Sequence, residues 1–161
     1  MARSGSFGVN YKKAIPSTPA IQEYKLGDLG SDPDGEWVYV QASAAVAQYA
    51  FVAIAKDNTV AELTTTTAGS NSLQVGVAQF AFASGEQGWV WIGGAMGGGV
   101  GKGVKGKIAA SYVAEANLNT TATAGVADDA STTLIKNVVG LTATTGAAAV
   151  ELRSNGYLSV N

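Results

Sequence analysis

The chain has no cysteine and no histidine among its 161 residues. The first absence removes disulfides, Fe–S clusters, thiolate chemistry and every Cys-ligated zinc site. The second removes the usual general base near neutral pH and the commonest metal ligand. Charge is scarce as well: 14% of residues are charged, and the formal net charge is -2. A polyphosphate binder would carry a basic excess, so nucleic acid is not an expected partner. The start lacks a basic stretch followed by an apolar one, so no secretory signal is expected. Trp37 to Ala55 is uncharged for 19 residues, yet it contains Gln41, Ser43, Gln48 and Tyr49 and is rich in alanine. It does not read as a membrane span, and no membrane partner is expected.

At this length one domain is expected, able to bury about 70% of the surface its unfolded form exposes without disulfide or metal. Pro16, Pro19 and Pro33 are the only prolines, and 9 of the 22 charged residues precede Trp37. Ser4-Gly5-Ser6 and Ile15-Pro16-Ser17-Thr18-Pro19 favour extended backbone with few core anchors. The sequence therefore divides into an extended N-terminal arm over 1–36 and a β-barrel or sandwich body over 37–161.

From Trp37 onward, segments rich in Val, Ile, Thr and aromatics alternate with Gly, Asn and Asp at short intervals, the pattern of an all-β sandwich or barrel. Strands are expected over 36–41, 47–55, 59–65, 73–83, 88–93, 104–109, 112–118, 136–143, 148–153 and 157–160. Lys56-Asp57-Asn58 and Ala124-Gly125 read as tight turns. Gly106–Leu118 is the one stretch with a helical spacing, but its glycines and Tyr112-Val113 favour strand.

A hairpin is expected around Ser84-Gly85-Glu86-Gln87. Pairing Phe82 with Trp89 sets Phe80 opposite Trp91, so that four aromatics share one face, either as core or as a subunit interface. Val75 and Val77 have the opposite parity to Phe80 and Phe82. Either both faces of that strand are buried or a bulge near Ala78 exchanges them.

Two segments share an order of landmarks. Val52 and Leu118 are 66 positions apart, as are Val60 and Val126; Val75 and Val139 are 64 apart, and Val90 and Val150 are 60 apart. A shrinking offset is what loop shortening in a duplicated β unit produces, and alternating small and apolar residues also mimic it. A duplication would give two similar β motifs joined by Gly93–Gly106.

Motifs of chemistry are weak. Gly101-Lys102-Gly103-Val104-Lys105-Gly106 satisfies G-x-G-x-x-G, but that motif needs a following helix, whose N-terminal amides hold the pyrophosphate. Eight of the 21 glycines lie between Gly93 and Gly106, so spacings match there by chance. The stretch reads instead as a flexible surface loop with Lys102, Lys105 and Lys107. Asp32, Asp34 and Glu36, and Asp128 with Asp129, are the only close carboxylates, and both groups sit in turn contexts. No catalytic residue, cofactor or metal is expected.

The order of these motifs is familiar. Tyr24-Lys25-Leu26-Gly27, then Asp34-Gly35 before Trp37-Val38-Tyr39-Val40-Gln41-Ala42-Ser43, resembles the opening of the small head decoration (cement) proteins of tailed bacteriophages. So do Val75-Gly76-Val77-Ala78 followed by Gly88-Trp89-Val90-Trp91-Ile92-Gly93, and Leu118 to Gly125 with Asp128-Asp129. The likeness spans residues 24–152, and its Gly93–Gly106 run is longer and richer in glycine than the family pattern. The resemblance implies a β-rich, non-enzymatic protein on the outer surface of the virion capsid. Its partners would be the major capsid protein and itself, as a homotrimer. Tyr11, Lys12, Lys13 and Tyr24 are the candidate capsid contacts. A head fibre or receptor- or carbohydrate-binding module using exposed Trp89 or Trp91 is the alternative, and an Asp/Glu hydrolase the third.

Overall fold

The computed structural model describes residues 24–68, 73–130 and 133–160. It is all-β, apart from one turn of helix. The chain opens with a hairpin of β1 (Leu29–Asp32) and β2 (Gly35–Ala42), paired antiparallel from Leu29 opposite Val38 to Asp32 opposite Gly35. Pro33 presets the backbone for the turn. The Asp32 carboxylate fixes it, accepting the Asp34 amide at 2.8 Å and the Trp37 indole N–H at 2.9 Å. The boundary expected at residue 36 is thus corrected. The charge between Lys25 and Glu36 marks a turn of the body rather than an extended arm. Residues 1–23 lie outside the described residues.

Five strands then close a ring. β2 pairs antiparallel with β6 (Gln87–Gly94) and parallel with β4 (Thr59–Glu62). β3 (Phe51–Ile54) lies between β4 and β5 (Gln74–Ala78), and β5 returns to β6. Alternate residues from all these strands, including Val38, Val40, Val52, Ile54, Val60, Val90 and Ile92, form one buried cluster. Residues from every side of a ring meet only inside it, so this cluster is the barrel interior.

The second half repeats the first. β7 (Lys105–Ile108) pairs parallel with β9 (Ala127–Asp128) and antiparallel with β11 (Ala148–Val160). β8 (Asn117–Thr120) lies between β9 and β10 (Leu134–Gly140), and β10 returns to β11. Strand for strand, β7 to β11 carry the connectivity of β2 to β6, with the parallel pair in the same place. The expected duplication is present. Two of its registers differ by two residues from those read in the sequence, since such a slip leaves an alternating pattern unchanged, and a third differs by one. Val60 matches Ala127, since Ile54 opposite Val60 corresponds to Thr120 opposite Ala127. Val77, not Val75, matches Val139, and Val90 matches Leu152. A register shift in β10 between Lys136 and Val138, with Asn137 at φ 65°, supplies the difference.

The two barrels are fused. β11 also pairs with β5 and β6, so the first ring can be traced through six strands. Gly94 faces Gly156, and these occupy equivalent positions in the two units. The outer face of the first barrel (Trp37, Tyr39, Phe51, Val75, Val77, Trp89 and Trp91) joins the interior of the second (Val104, Ile108, Tyr112, Leu118 and Leu152) in one core. Both faces of β5 are therefore buried, the first of the two alternatives its parity allowed.

Local chemistry explains the remaining departures. The strand expected over 59–65 stops at Glu62, and a single helical turn, α1 (Thr65–Ala68), follows. Thr64 and Thr67 cap it reciprocally, Thr67 N–H to Thr64 Oγ1 at 3.1 Å and Thr64 N–H to Thr67 Oγ1 at 2.9 Å. The strand expected over 112–118 is mostly turn, with Ser111 and Glu115 at positive φ, and β8 begins only at Asn117. The segments expected at 148–153 and 157–160 are one continuous strand of 13 residues. No helix among the described residues is long and apolar enough to cross a membrane.

Candidate interaction surface

The aromatic hairpin is not built as expected. β5 ends at Ala78, and Val77, not Phe80, lies opposite Trp91. The chain leaves the ladder at Gln79 because that side chain is committed elsewhere. Its amide bonds the main chain of Lys105 twice, Nε2 to the carbonyl at 2.8 Å and Lys105 N–H to Oε1 at 2.9 Å. The four aromatics consequently part company. Phe82 enters the first barrel's interior and bridges Val46, whereas Trp89 and Trp91 belong to the shared core. Phe80 is 38% exposed.

Of the four candidate capsid contacts, Tyr11, Lys12 and Lys13 lie outside the described residues. Tyr24 is half-buried against the chain's own body. Its ring centroid is 5.0 Å from that of Trp89 and 5.3 Å from that of Tyr39, both at steep angles. Edge-to-face packing of this kind uses the quadrupoles of the rings. Tyr24 thus packs on the barrel wall through Tyr39 and Trp89.

The clearest surface feature is one that composition alone misread. Gly93–Gly106 was expected to be flexible, but its backbone is tied down. Gly98 N–H donates to Asp34 O and Gly99 N–H to Leu152 O, each at 2.8 Å, and Ser154 N–H donates to Gly97 O at 2.8 Å. Ser154 Oγ adds a bond to Gly94 O at 3.0 Å, and Gly101 N–H meets the Glu151 carboxylate at 3.2 Å. On this fixed backbone Met96 is 90% exposed and Val100 83%. Of the three lysines, Lys102 is exposed in the loop, whereas Lys105 and Lys107 belong to β7. A strand, not a helix, follows the G-x-G-x-x-G letters, so the amide cradle that a pyrophosphate needs is not formed there.

The loop leans on the β1–β2 turn. The Asp34 carbonyl accepts the Trp91 indole N–H at 3.0 Å in addition to the Gly98 amide. The Asp34 carboxyl is raised above its ordinary value, first by burial and then by Asp32, while Lys102 pulls the other way. Nearby, the Tyr157 hydroxyl donates to the Glu36 carboxylate, and this bond holds the phenol above its usual range. Tyr157 is 52% exposed, so the seam between the barrels carries an aromatic at the surface.

The Asp128 and Asp129 carboxylates are committed to the local backbone. Asp128 Oδ1 accepts the Asp129 amide at 2.8 Å, and Asp129 Oδ2 accepts the Val113 amide at 2.9 Å. No group of three or more His, Cys, Asp or Glu among the described residues is placed to hold a metal. Open concavities occur among the described residues. One of about 440 Å³ lies along β10 and β11 with Lys136, Asn137 and Arg153, and one of about 470 Å³ lies beneath the Thr142–Ala147 turn. Arg153 in the first is engaged by Glu115 at 3.2 Å.

No family model matches the chain, and neither a curated protein nor a solved structure matches it. The surface therefore has to be read on its own terms. Sequence reasoning missed β1, the pinned loop and the Tyr157–Glu36 pair. Only β1 had a local signal: Asp32-Pro33-Asp34-Gly35 is turn chemistry with apolar residues on either side.

Proposed function

We propose that this chain is a structural virion protein that decorates the outside of a tailed-bacteriophage capsid. It stabilises the shell by bridging major capsid protein subunits as a homotrimer, and it is made in the host cytoplasm. The motif order over residues 24–152 supports the family. The single observation that carries the mechanical part is the tied-down Gly93–Gly106 loop, which holds Met96 and Val100 out in water. Burying such a side chain is worth about 1.5–3 kcal/mol, and a rigid backbone loses little entropy in doing so. Repeating a modest contact in every copy of a symmetric oligomer multiplies it through effective concentration. A doubly closed barrel also suits crowding at high copy number, since among the described residues closure leaves β1 as the one strand with an unpaired edge.

The carbohydrate-binding alternative relied on exposed Trp89 or Trp91, and both are buried in the core. The test compares heads with and without the protein under heat or chelator. Heads lacking it should break at lower temperature, and Met96→Ser with Val100→Ser should weaken head binding at least tenfold while the fold persists. Equal stability of the two kinds of head, or lost host attachment alone, overturns the reading.

A further inference from the structure

Among the described residues β1 is the strand that pairs on one side only; each of the others has two or more partners. The outward groups can be identified. Tyr39 N–H donates to Asp28 O at 2.9 Å, and Gly27 N–H donates to Tyr39 O at 2.8 Å. Gly27, at φ 91°, is thus the glycine of a bulge that leads into β1. Alternation along an antiparallel pair then turns the backbone groups of Asp28, Gly30 and Asp32 toward β2. Those of Leu29 and Ser31 face away from the sheet. Both residues are exposed, Leu29 at 66%. An open edge beside an exposed leucine is a template for an added strand.

The edge selects its occupant by charge. The hairpin carries Asp28, Asp32, Asp34 and Glu36, against Lys25 in the sequence and Lys102 beside Asp34. A second β1 laid against it would bring like charges together. A basic extended segment fits, and this chain contains one. Residues 1–13 carry Arg3, Lys12 and Lys13 and no acid, and Phe7-Gly8-Val9-Asn10-Tyr11 alternates large apolar with small or polar residues, the period of a half-buried strand.

We propose that the outer edge of β1 accepts residues 7–13 of a second copy of this chain as an added strand. A second copy is favoured over the same one by length. The spacer 14–23 contains Pro16 and Pro19, which favour extended backbone, and ten residues would reach about 31 Å if polyproline-like throughout. Leu29, only five residues beyond Tyr24, lies within about 18 Å of it. Each copy both gives and receives a segment, so the contact closes either reciprocally in a dimer or head-to-tail round a ring. This inference does not depend on the capsid reading.

The experiment is the native mass of the purified full-length chain by sedimentation, with far-UV circular dichroism alongside. The wild type should sediment as a multiple of the chain mass. Ser31→Pro removes an outward N–H without touching the β2 ladder, and should give single chains with an unchanged spectrum. Lys12→Glu with Lys13→Glu should weaken self-association at least tenfold, and decides the matter if the proline variant loses its fold. A wild type that runs as one chain overturns the proposal, including the case in which the segment docks on its own body. Variants that stay assembled overturn it equally.

Discussion

Glu62 and Asp129 perform the same task in the two barrels. Glu62 Oε1 accepts the amide of Ala47 at 2.7 Å, and Asp129 Oδ2 accepts the amide of Val113 at 2.9 Å. Ala47 and Val113 are 66 positions apart, and each starts a turn closed by the same bond, Ala50 N–H to Ala47 O and Ala116 N–H to Val113 O, both at 3.2 Å. Tyr49 and Glu115, at equivalent points of these turns, both have positive φ, 65° and 62°. The duplication thus extends to side-chain function, with a longer acid in one unit and a shorter one in the other.

Removing either carboxylate should loosen its own turn and leave the other intact. A hydrogen bond to a charged acceptor is worth about 1.5–3 kcal/mol when shielded and less in water. Glu62→Ala, at the half-buried site, should cost about 1–2 kcal/mol, and Asp129→Ala about 1 kcal/mol. Thermal melts should show drops of about 2–4 °C per kcal/mol in a chain of this size. The two sites share no partner, so their effects should add. Strong non-additivity in the double variant would contradict the picture of two separate caps.

Much of this architecture was legible in the sequence, for a physical reason. Strand identity and the duplicated order are written in apolar periodicity, which the paired halves preserve at Val52 and Leu118. Register was not legible, because Val75-Gly76-Val77 alternates with period two and any even shift fits it equally well. Phe80 was misplaced on the same ground: nothing local announces that Gln79 spends its amide on Lys105, a bond formed across 26 positions. The Gly93–Gly106 loop failed differently. Glycine content reports what a backbone is free to do when alone, whereas Asp34, Leu152 and Ser154 decide what it does in the fold.

Gly98 and Gly103 separate those two situations. Both have positive φ, 69° and 86°. A Cβ on Gly98 would stand 2.1 Å from the Leu152 carbonyl oxygen, whereas one on Gly103 would meet nothing within 4 Å. Gly103→Ala should therefore cost only the left-handed backbone term, about 1–2 kcal/mol. Gly98→Ala must also break the packing of the loop on β11, and should exceed it by several °C in melting temperature. Similar melting points for the two variants would mean that the loop is not pinned at Gly98.

Tyr112 plugs the second barrel as Phe82 plugs the first, from the opposite member of an equivalent pair. Val46 bonds Phe82 through both main chains, and Thr144 N–H donates to Tyr112 O at 2.9 Å. The exchange of the large ring adds a hydroxyl to the interior. It donates to Ala116 O at 2.7 Å and accepts the Gly140 amide at 2.9 Å. Tyr112→Phe keeps the ring but strands that amide and a carbonyl, so a loss of about 1–3 kcal/mol is expected by chemical denaturation, with an unchanged m-value. A neutral substitution would show that these groups find other partners.

The Asp34 carboxyl supplies a test with a definite sign. Burial and Asp32 hold it above the ordinary range of an aspartate carboxyl, against the weaker pull of Lys102. A folded-state pKa above the unfolded one means that the group favours folding most when protonated. Its contribution is complete below the unfolded value and is lost as pH rises through the folded one. At neutral pH the ionised Asp34 therefore opposes the fold, so Asp34→Asn should raise the melting temperature at pH 7 and leave it unchanged near pH 3. The main-chain bonds of Asp34 to Gly98 and Trp91 are retained by asparagine, so the loop stays anchored in both forms. A lower melting temperature at pH 7 would show instead that attraction to Lys102 outweighs burial and the neighbouring Asp32.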